Sequence, residues 1–376
     1  MGKEIQHRIE YYKGIDLLRF IAASCVLLHH ASLMLSNKGI HIHAGKYHRY
    51  SGSFFLDLFF VISGFLICLI IYKEIDLKKF GFKNFLMRRV LRIWPLFSLL
   101  IIVRVIIIPT VKGVGMDEVL HNLKYAVTFT TNFQLMFSEF SPATFKILWS
   151  VCIEEHLYII FPVLAILFKK VRFILVAIMI VVGFIFWNIS GDLFKPNGGV
   201  NSGYFFSVNY FYYFGFGSLL AVLLNKKPTL FNRIGKLLGH SAVQGVLLLV
   251  GFVLVFNMVT DVAYSQVSKL AINGLFATYL VWVAISGKFL LDQFGNKTTR
   301  FLGNISYAMY LVHPMMLGPA FNASGIQSAS DPIAKLTFGF PMIALIFTIL
   351  IATVIHFLVE RPFLKMKKKR AVIQTK

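Results

Sequence analysis

The sequence predicts an all-α polytopic membrane protein with about ten transmembrane helices and both termini in the cytoplasm. Three observations predict it. Of the 376 residues, 57% are hydrophobic and only 14% are charged, against roughly 25% charged in an ordinary soluble domain. The apolar residues fall into ten continuous runs, each close to the roughly 20 residues that cross a bilayer core as a helix. Lys and Arg outnumber Asp and Glu by 38 to 16, and they divide unequally between the segments that join those runs, which sets orientation.

The runs lie near 15–35, 54–72, 93–109, 147–168, 171–190, 204–224, 241–259, 268–286, 302–320 and 338–359. Continuous apolar character, rather than the alternation of barrel strands, makes them helices. So much apolar sequence excludes a disordered chain. It also excludes a nucleic-acid binder, although the pI is about 9.9. The first run carries Arg19 and Cys25 and lacks a small-residue cleavage site, so it reads as a span and not as a signal peptide. Cys25, Cys68 and Cys152 all lie within runs at no paired spacing, and neither a disulfide framework nor a metal site is expected.

With the N-terminus inside, 27 of the 38 basic residues fall on the cytoplasmic side and nine outside, while Arg19 and Arg104 sit within spans. Residues 119–136 offer an eleventh run. Accepting it reverses everything downstream, leaves 14 basic residues inside and 21 outside, and brings His121, Asn122, Lys124, Asn132 and Gln134 into lipid. Residues 110–146 are therefore expected to form a long external segment. The chain reads as one integral-membrane domain, 1–365, followed by a basic cytoplasmic tail, 366–376. No internal repeat of the transporter kind is evident.

Ionisable groups within spans are functional candidates by default. In the first span Arg19 and His30 are eleven residues apart, which puts them within about 20° on one helix face and roughly 16 Å apart along the axis. A snorkelling Arg and a hydrogen-bonded His is the plainer alternative. The second span carries Asp57, which orients His30, binds an acceptor hydroxyl or simply marks the helix start. Arg88, Arg89 and Arg92 cluster at the mouth of the third, where Arg forks suit a phosphorylated ligand and positive-inside anchoring is the alternative. In the fourth, Ser150, Glu154 and Tyr158 share a face and Glu155 projects about 100° away, one glutamate being open to a structural salt bridge. The ninth carries Ser306, Tyr310 and His313 as a stripe facing the bundle. The tenth ends in Glu360 and Arg361 before a tail suited to anionic lipid.

Taken in order, these segments resemble those of membrane-bound acyltransferase family 3, the O-acyltransferases of bacterial surface glycans. Arg19 and His30 reproduce its first-helix R-X10-H pattern. Residues 57–65 (DLFFVISGF) resemble its second-helix motif, 88–96 (RRVLRIWPL) its R-X-X-R segment and 148–158 (LWSVCIEEHLY) its W-S-x-x-x-E-E-x-x-Y motif. Residues 305–314 (ISYAMYLVHP) and 360–363 (ERPF) match its late motifs.

The resemblance implies a ten-helix bundle in the bacterial cytoplasmic (inner) membrane. It takes an acyl group, usually acetyl, from cytoplasmic acyl-CoA and places it on a hydroxyl of a cell-surface glycan or its lipid-linked precursor. Acetyl-CoA is then a donor substrate and no bound cofactor is implied; the partners are acyl-CoA, the glycan or lipid-linked sugar and membrane lipids. Carried over, His30 is the catalytic histidine, and Arg19, Arg89 and Arg92, with Arg88 in the same cluster, serve the CoA side. Two departures stand out. His156 occupies a position where the family often has Gln, and no esterase-like domain follows the last span, which implies a stand-alone enzyme.

The expected mechanism has His30 as general base on the acceptor hydroxyl, or as a transient acyl carrier. Asp57 or Glu154 fixes its tautomer or holds acceptor hydroxyls. Trp149, Ser150, Glu155, Tyr158, Ser306, Tyr307, Tyr310 and His313 are candidates for the acceptor or the developing oxyanion. The rival reading is a transporter or flippase for glycans or lipid intermediates. Within the enzyme class, a succinyl donor or a small-molecule acceptor is the alternative.

Overall fold

All ten apolar runs are helical in the computed structural model of the chain, which describes residues 8–40, 45–113, 115–137, 145–194, 202–257, 266–286, 296–328, 331–332, 335–372 and 374–375. Lys3, Lys195, Lys288 and Lys376 of the charge count, residues 258–259 of the seventh run, and residues 114 and 138–144 of the segment expected outside lie beyond the described residues.

In chain order the helices are α1 (Lys13–Asn37), α2 (Gly45–Asp76), α3 (Phe82–Lys112), α4 (Met116–Val127), α5 (Thr131–Phe137), α6 (Trp149–Leu167) and α7 (Arg172–Leu193). They continue with α8 (Phe211–Lys226), α9 (Pro228–Leu238), α10 (Ser241–Asn257), α11 (Gln266–Ser286), α12 (Lys297–Ser324), α13 (Phe340–Ile355) and α14 (Arg361–Lys369). Among the described residues the only strands are β1 (Arg8–Ile9) and β2 (Gln374–Thr375), paired in parallel, Arg8 with Gln374 and Ile9 with Thr375.

Large apolar side chains point outward along many helices, among them Ile106, Leu167, Leu249, Leu275 and Leu358. An apolar surface of that extent needs lipid. Among the described residues, eight helices are long and apolar enough to cross a membrane, and nine if α9 and α10, bent by 83°, count as one. The shortfall from ten has a physical reason. α12 is ample in length at 28 residues, about 42 Å at 1.5 Å per residue. Its apolar character is diluted by Asn304, Ser306, Tyr307, Tyr310 and His313, of which Ser306, Tyr310 and His313 are buried. The rejected eleventh run, 119–136, is not one helix. It breaks between α4 and α5 at Phe129, whose φ of 55° is left-handed.

The chain forms two compact units. One comprises residues 10–63 and 223–357 and holds α1, the first part of α2 and α9–α13. Within it α1 packs against α11, α12 and α13. A core of Leu27, Ala31 and Leu35 from α1 meets Leu317 and Ala320 of α12 and Phe340 and Ala344 of α13. The other comprises residues 1–9, 64–222 and 358–376 and holds the rest of α2, α3–α8 and α14. Its centre is aromatic: Trp149 of α6 packs on Tyr204, Phe205 and Tyr210, and Trp187 of α7 on Tyr204, Tyr210 and Tyr213.

Candidate functional site

In the first-described unit, α1 and α12 run side by side in the same direction. Asp16 lies against Gly303 near their starts, His30 against His313 further along, and Leu35 shares a core with Ala320 near their ends. Such an approach needs small residues: a Cβ at Gly303 would collide with the Asp16 Cβ and backbone, and one at Gly14 would come within 2.8–2.9 Å of Ala284 on α11. Tyr11, just before α1, donates its phenol to Asp16. Burial and that carboxylate hold the phenol well above its ordinary range.

The close packing brings two imidazoles together. The rings of His30 and His313 have centroids 5.0 Å apart with planes at 65°. His29 lies 5.0 Å from His30 and fills the space over Gly52, where any Cβ would strike its ring. Tyr310, one turn before His313, stands 5.8 Å from it and packs edge-on against Phe59 of α2. His313 is wholly buried; His30 is partly exposed. Asp57 is 3% exposed and accepts a hydrogen bond from Asn273 Nδ2 of α11 at 3.4 Å. α2 begins twelve residues before Asp57, so this carboxylate belongs to the helix interior and not to its start. Ser306 donates to the Gly303 carbonyl of its own helix at 2.8 Å. Arg19 and Tyr307 are each partly buried in this same unit.

The remaining candidates belong to the other unit. Arg88 is 4% exposed, and its guanidinium donates to Glu74 Oε1 at 2.6 Å and to the Arg370 carbonyl at 3.4 Å. Its place in the sequence marks it for phosphate, yet its surroundings make it a clasp between α2, α3 and the end of α14. Arg172 and Asp76 form a second such pair, with the guanidinium 4.3 Å over Tyr72. Arg89 is buried between rings, 5.4 Å from Phe85 and 5.6 Å from Tyr158, while Arg92 is partly exposed. Trp149, Ser150, Glu155 and Tyr158 are buried and Glu154 is partly exposed. Thus one unit gathers His30, His313 and Tyr310 with Asp57 in the same bundle, and the other gathers Arg89, Tyr158 and the two glutamates of α6.

Three partners escaped the sequence reading: Asn273 on Asp57, Glu74 on Arg88, and Ser207, whose Oγ lies 2.8 Å from His156 Nδ1. Glu74 carried a usable signal, since a carboxylate at the end of an apolar run needs a cation. Asn273 and Ser207 are single polar residues in apolar segments, and nothing in periodicity distinguishes them.

Residues 12–357 match the family model described as an acyltransferase domain. Among curated proteins, the chain is 27% identical over 331 residues to "Putative O-acetyltransferase" of Staphylococcus aureus (strain COL), covering 81% of this chain and 50% of that protein. It is 26% identical over 391 aligned positions to "Putative peptidoglycan O-acetyltransferase YrhL" of Bacillus subtilis (strain 168), covering 96% of this chain and 56% of that one. An uncharacterized Haemophilus influenzae protein is 30% identical over 241 residues, with 60% of this chain and 96% of that protein covered. The chain thus spans about half the length of the first two relatives. No solved structure matches it.

Proposed function

The chain belongs to acyltransferase family 3, and from that premise we propose that it transfers an acyl group, acetyl in the first instance, from acyl-CoA to a glycan hydroxyl. The acceptor class follows the relatives, one of which is named for peptidoglycan. The setting proposed is a bacterial inner membrane with both termini in the cytoplasm, which agrees with the basic excess of the inside segments.

The observation that carries the reading is the imidazole pair His30–His313, held between two closely packed helices of a family that acylates hydroxyls. An imidazole is the side chain whose ordinary pKa suits proton abstraction near neutral pH. In the proposed step His30 takes the proton of the acceptor hydroxyl as its oxygen attacks the thioester carbonyl. The carbon–sulfur bond breaks, and the departing thiolate recovers the proton. His313 and Tyr310 fix the ring of His30; Asp57, held by Asn273, orders the polar interior of the same bundle. Arg19, in the same unit as His30, is the proposed contact for the anionic donor, and Arg89 and Arg92 are candidates for it by residue type. Arg88 is assigned to the Glu74 clasp.

The test uses the full chain in lipid nanodiscs with radiolabelled acetyl-CoA and peptidoglycan fragments. Label should pass covalently to the glycan, and His30→Ala should lower the rate about a hundredfold or more, the usual cost of losing a general base. Undiminished transfer by that variant would overturn the role of His30. Movement of glycan across the bilayer without labelling would mark a transporter instead.

A further inference from the structure

We infer that Ser207 is a nucleophile, activated by His156, that accepts the acyl group as a transient ester in a route additional to the direct transfer at His30. Ser207 opens the turn leading into α8 and is 6% exposed. Its Oγ lies 2.8 Å from Nδ1 of His156, one turn or more inside α6. The Asn132 side-chain amide donates both to that Oγ, at 3.0 Å, and to the Phe205 carbonyl, at 3.1 Å. Oγ accepts from Asn132, and in the tautomer protonated at Nε2 the Ser207 hydroxyl donates to His156 Nδ1.

The Phe129 backbone also stands within hydrogen-bonding reach of this imidazole. Phe129 is a non-glycine residue with a φ of 55°. A left-handed backbone at such a residue is strained and persists only where its surroundings over-determine it. Phe133 stacks on the same ring at 5.3 Å with planes at 23°. A hydroxyl nucleophile and an imidazole base lie within hydrogen-bond reach, the pairing that activates a serine. All of these residues lie within one unit.

The step balances. Ser207 Oγ attacks the carbonyl carbon of an activated acyl donor while its proton passes to His156 Nδ1. The bond from that carbon to the leaving thiolate breaks, the thiolate takes the proton, and an acyl-serine ester remains. An acceptor hydroxyl then attacks the ester, gives its proton to His156, and His156 returns it to Ser207. The donor class, an acyl thioester, rests on the acyl-transfer reading above; the activation of the serine does not.

The test therefore uses p-nitrophenyl acetate, a small activated ester that needs neither CoA nor glycan, on the full chain in detergent. Peptide mass spectrometry after rapid quenching should find acetyl on the peptide containing Ser207. Ser207→Ala should abolish it and Ser207→Cys should restore it on the thiol. His156→Gln is the decisive variant, since Gln still accepts from Ser207 and preserves the packing but takes no proton. It should slow labelling at least tenfold and remove its dependence on pH. An unmodified Ser207 in the unaltered protein, or wild-type labelling in His156→Gln, would overturn the assignment. Either result leaves the separate test of His30 with acetyl-CoA standing.

Discussion

His30 and His313 sit 283 positions apart in sequence, yet their rings meet at 5.0 Å because α1 and α12 run side by side. For the His30 base proposed above, the edge-on contact casts His313 as a positioning residue. His313→Ala should lower kcat for acyl transfer about tenfold to a hundredfold, the scale on which small misplacement of a reacting group acts. KM for the donor should change little. His313→Phe, which keeps a ring in the same place, should recover part of kcat; an equal loss in both variants would show that the ring does more than hold its neighbour.

How much of this was legible beforehand differs by level. Each apolar run falls on a helix, because about 20 apolar residues in a row leave a membrane chain no other way to satisfy its backbone. The inward stripe of α12 was legible too, since Ser306, Tyr310 and His313 recur at helical spacing and all three are buried. What joins one helix to another was not. Periodicity says which face turns inward but not which neighbour it meets, so Asn273 on Asp57 and Ser207 on His156 required coordinates. Arg88 shows the cost of reading type alone: a phosphate-like cluster in sequence, one member of it neutralised by Glu74 fourteen residues earlier.

That clasp yields a stability prediction. The side chains of Arg88 and Glu74 are 4% and 2% exposed, so removing the carboxylate strands a buried cation. Glu74→Ala should destabilise the protein by about 3–5 kcal/mol, as for other broken buried pairs. Replacing both residues by apolar ones of similar volume should be far milder. Thermal unfolding of the two variants in detergent separates the cost of an orphaned charge from the worth of the pair.

The approach of α1 and α12 can be tested by two glycines of one helix. A Cβ at Gly303 would strike Asp16, whereas one at Gly318 would meet nothing within 4 Å. Gly303→Ala should therefore cost about 1–3 kcal/mol through overpacking. Gly318→Ala should be neutral or stabilising by up to about 1 kcal/mol, because Ala favours the helix over Gly. Equal melting temperatures for the two variants would contradict the close contact. If the contact also sets the imidazole pair, Gly303→Ala should lower acyl transfer while Gly318→Ala leaves it unchanged.

The segment after α12 supplies a prediction with a pH sign. α12 ends at Gly325, whose φ of 60° is the left-handed closure that glycine provides. Beyond it Asp331 Oδ2 accepts from the backbone N–H groups of Gln327, at 2.7 Å, and Ser328, at 3.0 Å. Lys335 donates to Asp331 Oδ1 at 2.9 Å and to the Gly325 carbonyl at 2.5 Å, so one carboxylate ties Gln327, Ser328 and Lys335 together. The Ser328 and Gln327 amides, and then Lys335, hold its carboxyl down to about 2, against an ordinary 3.8. A carboxyl held low in the folded chain adds stability that is fully present above its ordinary value and is lost as pH falls through its folded one. The turn should therefore stay ordered at neutral pH and loosen between 3.8 and about 2. Asp331→Asn removes the charge at every pH, so at neutral pH its Gln327 and Ser328 amides should exchange hydrogen faster than those of the unaltered chain. Hydrogen-exchange mass spectrometry of peptides from this turn reads both effects, and equal protection in the two proteins at neutral pH would refute the role given to the carboxylate.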